Sequence, residues 1–452
     1  MAARMTDGTP VTEKSDHPKA ATSAYEREVR LLQRDHRVPS VSAALARQDR
    51  PLWTLEVAGP ELAKGTDAQY RIGSVTKTFT AVLVMQARDA GLLDLDDTVA
   101  QHLDVPRHGD LTIRRLLSHS SGLAREPYGD VWDTLDVPDS GKLLADLTHI
   151  ESVLPTSRRF HYSNLGFAIL GHLVARLAGS TWEELVVDRL IRPLGLTRTT
   201  VTQQGPVAQG YLVDAFSERV RPETGLDFGG VGPAAQLWST AADMATWAAF
   251  LAKPDEKVLA GSTVDEMVHP LMVTDEMDWK LALGLGLMVV PRGDRVVHVG
   301  HTGGMPGFIA GVFCDRASGV GAAVLGASGT AGQIAAVPHK LLELSAELDE
   351  PQIQPWVPGE APPDEIVSVL GHWWTEGTQF TFSWKDGKLE GRAAGQPKQI
   401  PPAIFERLTA DLYRTVSGRE AGEHLRLTRG DDGKVVRMNW ATYRVTRDQQ
   451  TF

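Results

Sequence analysis

The chain has 452 residues, 42% of them hydrophobic, with 46 Lys and Arg against 57 Asp and Glu, a formal charge of −11. That length is more than one hydrophobic core serves and predicts two domains, with apolar residues enough to bury both. The negative balance, with no Lys/Arg-rich run, excludes a surface built to grip a phosphate backbone, so no nucleic-acid partner is expected.

Residues 1–23 are polar and charged, with Lys14, Asp16, His17 and Lys19 falling where a secretory signal needs an unbroken apolar core. A disordered tail and a cytoplasmic protein are expected. No apolar run approaches the length of a membrane span, so no membrane partner is expected either. A helix is expected over 24–34, then strands at 41–46 and 53–57 with Pro51 at the turn. In residues 76–90, Phe79, Val82, Leu83 and Met85 recur at nearly helical spacing. Ser74-Val75-Thr76-Lys77 lies where the loop Tyr70-Arg71-Ile72-Gly73 enters this helix. A serine and a lysine three apart share a helix face, so an unprotonated Lys77 can take the Ser74 proton while the hydroxyl attacks an acyl carbon. Taken alone, the pair also reads as a solvated first helical turn.

Further helices are expected at 111–118, 142–150, 165–178, 181–190, 240–252, 263–270 and 331–347. The runs 295–299, 307–314 and 320–326 read as adjacent antiparallel strands. A sheet assembled from both ends of the segment, with a helical insertion between, fits this order. The single cysteine, Cys314, follows Val312-Phe313 in such a strand; it cannot form an internal disulfide and reads as a buried core thiol. Residues 349–364 hold five prolines, at 351, 355, 358, 362 and 363, and read as a semi-rigid linker. Beyond them Asp386-Gly387 and Asp432-Gly433 each separate two strand-like runs, the mark of β-hairpins. These boundaries give a tail at 1–23, a catalytic domain at 24–348, a linker at 349–363 and a small antiparallel barrel at 364–452. The sequence has no internal repeat, zinc-spaced His/Cys set, dinucleotide loop or phosphate-binding loop; no metal or cofactor is expected.

Tyr162-Ser163-Asn164 precedes another apolar helix, and His301-Thr302-Gly303-Gly304 follows a strand-like run. Ser-x-x-Lys, Tyr-x-Asn and a basic residue followed by Thr-Gly, in this order, resemble the three-part signature of active-site serine penicillin-recognising enzymes. Over about residues 24–345 the chain resembles the serine β-lactamase and penicillin-binding-protein superfamily, in its class C, D-aminopeptidase and family VIII esterase branch. The segments Gly91-Leu92-Leu93-Asp94-Leu95-Asp96-Asp97 and Leu116-Leu117-Ser118-His119-Ser120-Ser121-Gly122-Leu123 add to this likeness. The resemblance implies an α/β (α+β) sandwich, an antiparallel sheet flanked by helices, followed by a lipocalin-like barrel. It implies Ser74 as nucleophile, Lys77 as its proton acceptor and the Ser74 amide as an oxyanion donor. Tyr162 would relay protons, and Asn164 would hold Lys77 and a substrate carbonyl. Thr302, Gly303 and Gly304 would line the acyl chain. His301 stands where β-lactamases place lysine, and in the esterase and peptidase-like relatives such a histidine can bind substrate or assist Tyr162 near neutral pH. His119 and His161 read as local hydrogen-bonding residues, and His298 as the cap of a sheet face.

The motifs leave the acyl acceptor open between water, an alcohol and an amine. The overall length, the polar start and the barrel make the chain most similar to penicillin-binding-protein-type thioesterases, which cyclise nonribosomal peptides presented on carrier proteins. The closing stretch from Asn439 to Arg447 also resembles theirs, with Tyr443 and Arg444 as substrate-binding candidates. A family VIII carboxylesterase and a D-amino-acid peptidase or amidase are the alternatives. An inactive binding protein on this fold is disfavoured because serine, lysine and tyrosine are all kept.

Overall fold

The computed structural model describes residues 13–15, 19–48, 50–275, 277–293, 296–348, 356–397 and 400–449. It divides into two units, Met1–Glu350 and Pro351–Phe452. Most of the expected tail (1–12 and 16–18), the start of the expected linker (349–355) and Arg295 of the expected strand at 295–299 lie outside the described residues.

The first helix begins at Lys19, ahead of the expected Ala24, and Glu13–Ser15 pairs with the strand Arg50–Ala58, so the expectation of disorder up to residue 23 does not hold. The reason is a buried stripe at helical spacing, Ala21, Tyr25, Val29 and Leu32, that starts inside the polar stretch; Tyr25 packs on Trp53 with ring centroids 5.3 Å apart.

Nine strands form one antiparallel sheet. Its order is Glu13–Ser15, Arg50–Ala58, Ser40–Arg47, Val320–Gly326, Phe308–Asp315, Val297–Met305, Met288–Pro291, Ala282–Leu283, Met272–Val273. The two ends of the unit meet at its centre, in register from Val41 opposite Gly326 to Arg47 opposite Val320. Alternate residues of Ser40–Arg47 serve opposite layers, as the pleat requires. Ala43 and Leu45 join the core under Lys19–Asp35 and Val337–Leu348, whereas Ala44 and Ala46 join the larger core holding Thr76–Asp89, Asn164–Ala178 and Ala241–Ala252. Strands covered on both faces read as continuous small apolar runs. The three short strands at 272–273, 282–283 and 288–291 had no sequence signal, being too brief to show alternation. Cys314 is buried, and burial pushes its thiol up to about 12. His298 is no cap: it is 1% exposed, its Nδ1 lies 2.9 Å from His339 Nδ1, and the rings stack at 8°.

The second unit is an eight-stranded antiparallel meander, Gly371–Thr375 through Tyr443–Val445. Trp374 and Thr446 exchange backbone hydrogen bonds of 2.7 and 2.9 Å, which brings the last segment to the first strand and nearly closes the barrel. Its interior is filled by Trp373, Phe382, Phe405, Met438 and Trp440. Asp386 and Gly387 both take positive φ, 49° and 70°, as a two-residue hairpin turn demands. Among the described residues no helix is long and apolar enough to cross a membrane.

Candidate active site

Ser74 sits in the single turn Gly73–Val75 that feeds the helix Thr76–Asp89. That turn runs against the strand Val297–Met305, and two glycines make the approach possible. Gly73 has φ +51°, and a Cβ there would lie 2.8 Å from the Gly304 carbonyl oxygen; a Cβ on Gly303 would lie 1.9 Å from the Ile72 oxygen. The missing side chain of Gly303 therefore makes room for the serine turn, not for an acyl chain as expected. Gly304, with nothing within 4 Å of its absent Cβ, faces open space.

Lys77 is wholly buried, and its Nζ has three polar neighbours: Ser74 Oγ at 3.0 Å, Asn164 Oδ1 at 2.7 Å and the Ala234 carbonyl at 2.9 Å. Burial pushes the amine well below its ordinary value, opposed by the Glu126 carboxylate and reinforced by Arg125. A neutral amine has two N–H bonds and one lone pair. A charged amine donates to all three, Ser74 Oγ included; the neutral form, with its two N–H bonds taken by Asn164 and Ala234, turns its lone pair to the Ser74 hydroxyl.

Asn164 opens the helix Asn164–Ala178, whose N-cap Ser163 accepts from the Gly166 amide. Its Nδ2 donates to Glu126 Oε1 at 2.7 Å, so a carboxylate behind it turns Oδ1 toward Lys77. The Tyr162 ring lies 4.9 Å from Lys77 Nζ, and Arg125 sits 5.0 Å over it. Burial pushes the Tyr162 phenol well above its usual value, while a hydrogen bond with Ser74 works the other way. Tyr162 is thus a proton-bearing phenol in the resting site.

Two buried imidazoles complete the wall. His119, in a left-handed conformation (φ 53°), stacks on Tyr162 with centroids 4.3 Å apart. Its Nδ1 accepts the Ser163 amide at 3.0 Å, which places the ring proton on Nε2. His301 has the opposite tautomer, because its Nδ1 donates to the Thr302 carbonyl at 2.5 Å and leaves Nε2 as an acceptor. Both Nε2 atoms are buried and have no hydrogen-bond partner among the described residues. Burial holds both rings neutral, His301 down to about 3 and His119 well below the usual range. His301 thus stands as a neutral imidazole, its ring centroid 6.2 Å from that of Tyr162.

The structure thus brings Ser74, Lys77, Tyr162, Asn164 and His301 together. Thr302 is part-buried, its Oγ1 turned to Met288 Sδ at 3.9 Å. Tyr443 and Arg444 lie exposed on the last strand of the second unit. Nearby Arg447 is committed within the barrel, 3.9 Å over Trp373 and donating to the carbonyls of Ser368, Leu370 and His372. The His161 backbone amide donates to the His119 carbonyl at 2.8 Å. Sequence reasoning missed His119, Arg125 and Glu126 as neighbours of Tyr162 and Asn164. Their signal was the stretch from Leu116 to Glu126, whose polar residues crowd a segment with too little periodicity to be a surface helix. Among the described residues no group of three or more His, Cys, Asp and Glu side chains is placed to hold a metal ion.

A buried lysine bonded to a serine at a helix start, beside a tyrosine, is the site geometry of the β-lactamase and penicillin-binding-protein superfamily. The chain belongs to the beta-lactamase family, whose model matches residues 25–344; residues 362–447 match a Domain of unknown function (DUF7586). Penicillin-binding protein 4 of Amycolatopsis lactamdurans is 30% identical over 325 residues, 66% of this chain and 84% of that protein. Beta-lactamase-like protein 2 of Dictyostelium discoideum is 29% identical over 54% of this chain, which spans only 48% of that relative's length. Among solved structures, a D-stereospecific amidohydrolase from Streptomyces sp. superposes with a TM-score of 0.60 at 26% identity, covering 71% of this chain and 98% of that one.

Proposed function

We propose that the protein is a serine acyl-transfer enzyme that works through an acyl-enzyme on Ser74, and that it takes its acyl group from a donor ending in a D-configured residue. The observation that carries this reading is the Lys77 amine, wholly buried, its pKa pushed well below the ordinary value, with Nζ 3.0 Å from Ser74 Oγ. In the first half-reaction Lys77 accepts the hydroxyl proton as Oγ bonds to the acyl carbon, and the oxyanion forms beside the helix-start amide of Ser74. The Tyr162 phenol is placed to protonate the leaving group and to be recharged from Lys77. In the second half-reaction the acceptor loses its proton to the same pair and the ester to Ser74 breaks. The neutral imidazoles of His119 and His301 offer one donor and one acceptor to the bound acyl group without adding charge.

For the acceptor, we propose the amine end of the same molecule, so that a nonribosomal peptidyl thioester presented on a carrier protein leaves as a macrolactam. The likeness of the barrel and of the stretch from Asn439 to Arg447 to penicillin-binding-protein-type thioesterases supports this reading. A D-amino-acid amidase or peptidase that passes the acyl group to water is the second reading, favoured by the 26% identity to the D-stereospecific amidohydrolase. A family VIII esterase would share the same first half-reaction. One experiment separates them: a linear peptidyl thioester with a D-residue at its C-terminus, compared with its L-epimer and with simple p-nitrophenyl esters. Cyclic product from the D-epimer supports the cyclase, linear acid from the D-epimer the amidase, and turnover of simple esters without stereochemical preference the esterase. Intact-mass analysis that finds no adduct on Ser74 with any donor would refute the acyl-enzyme itself.

A further inference from the structure

The barrel carries a cavity of ≈ 430 Å³ at one end, between the short helix Asp364–Val367 and the turn at Gly387. Its walls are mainly apolar: Ile366, Leu389, Phe405 and Val416 contribute, and the barrel's large aromatic side chains fill the interior beyond it. Two of the lining residues carry a polar atom that has no partner among the described residues. Tyr413, only 2% exposed, and Trp384 both line the cavity, and the Tyr413 hydroxyl and the Trp384 indole N–H are buried without a hydrogen-bond partner among the described residues.

Buried polar groups are ordinarily paired, because an unmatched donor loses its water and gains nothing in return. An indole N–H can only donate, and a phenol can donate, so the missing partner is an acceptor. Of the charged groups at the rim, Arg407 is already held by Glu365 at 2.9 Å. Lys388 and Glu406 oppose each other in sign at the mouth and leave it without strong charge selection.

We propose that this cavity is a binding site for a small, mostly apolar molecule whose polar end is an acceptor, a carbonyl or carboxylate oxygen, received by the Tyr413 hydroxyl and the Trp384 indole. The volume falls within the range of small-molecule sites, and the lining, apolar with few polar groups, is of the same kind. The site is independent of the chemistry at Ser74, so either can fail without the other.

The test uses the full chain and three ten- or eleven-carbon probes below their micelle concentrations: decanoate, 2-undecanone and decylammonium. The readout is the indole N–H resonance of Trp384, identified by its loss in Trp384→Phe. Decanoate and 2-undecanone should move it saturably, the tighter of the two showing whether the head is charged, and decylammonium should not. Tyr413→Phe should weaken binding about tenfold, the loss of one hydrogen bond, while raising the thermal midpoint of the free protein by removing an unmatched donor. Val416→Trp, a change at an exposed rim position, should block binding and leave the rate of Ser74 labelling by a fluorophosphonate unchanged. An unmoved resonance with both acceptor probes, equal binding of decylammonium, or unchanged affinity in Tyr413→Phe would each overturn the proposal.

Discussion

Adding one methyl group at position 303 should disable the serine without touching a reacting atom. In Gly303→Ala the new Cβ would lie 1.9 Å from the Ile72 oxygen and 2.9 Å from its carbonyl carbon, whereas real Cβ contacts essentially never fall below 3.0 Å. The strand and the serine turn must therefore separate by at least 1.1 Å, the difference between 3.0 and 1.9 Å. The strand cannot yield, being paired with Phe308–Asp315 from His298 through Met305, so the displacement falls on the turn carrying Ser74. Overpacking of this kind costs about 1–3 kcal/mol of stability, and a misplacement of about 1 Å at a reacting group costs roughly 10²-fold in rate. Gly304→Ala is the control, since its Cβ enters open space and should leave folding and Ser74 labelling intact while altering substrate affinity. Labelling kinetics with a fluorophosphonate, read by intact mass alongside thermal unfolding, give both quantities. If Gly303→Ala labels at the wild-type rate with an unchanged midpoint, the account of the strand as a brace for the serine turn is wrong.

Lys77→Ala should slow acylation by about 10²–10⁴, the usual worth of a positioned base, in stopped-flow acyl-transfer assays. Because burial depresses Lys77, wild-type acylation should stay flat on lowering the pH through the range where a free amine is fully protonated, and fall only near the depressed value; a limb near the ordinary lysine value would contradict this. A chromogenic cephalosporin should be hydrolysed slowly or not at all, since His301 is neutral where a β-lactam carboxylate would meet a cation, and turnover comparable to a dedicated β-lactamase would refute this; His301→Lys gives the direct comparison. The buried His298–His339 pair should make the first unit acid-sensitive. Burial lowers both folded values, His339 to about 3, so the stability they confer is complete above the unfolded value near 6.5 and is lost as the pH falls from there toward 3. Urea titrations at stepped pH should show that slope, and replacing both histidines with phenylalanine should flatten it.

The central strands and the serine helix were legible because they are regular: Val320–Gly326 is an unbroken small apolar run, and Phe79, Val82 and Leu83 keep helical spacing. The hairpin at Asp386-Gly387 was legible because its turn chemistry is local. What escaped depended on partners far away in the chain. The helix start at Lys19 is decided by Trp53 and its layer, not by the polar residues around it. His298 alternates with apolar neighbours as a surface cap would, and only His339, 41 residues later, makes it a core residue. The neutrality of His301 follows from enclosure, which no spacing rule reports. Gly303 looked like a substrate-facing glycine because the approach of Ile72 is a tertiary fact.

The seam where Val41 meets Gly326 joins residues 285 positions apart, 326 less 41, and lies in the middle of the sheet. Such a contact is among the slowest kinds to form, since a long loop must close before any pairing energy is returned. On a ribosome, the turn holding Ser74 emerges more than two hundred residues before the Gly303 strand that braces it. A nascent chain therefore carries its serine and lysine unassembled through most of synthesis. On the proposed mechanism, the arrangement that activates Ser74 can form only after the Gly303 strand has emerged, so the topology that slows folding would also delay reactivity.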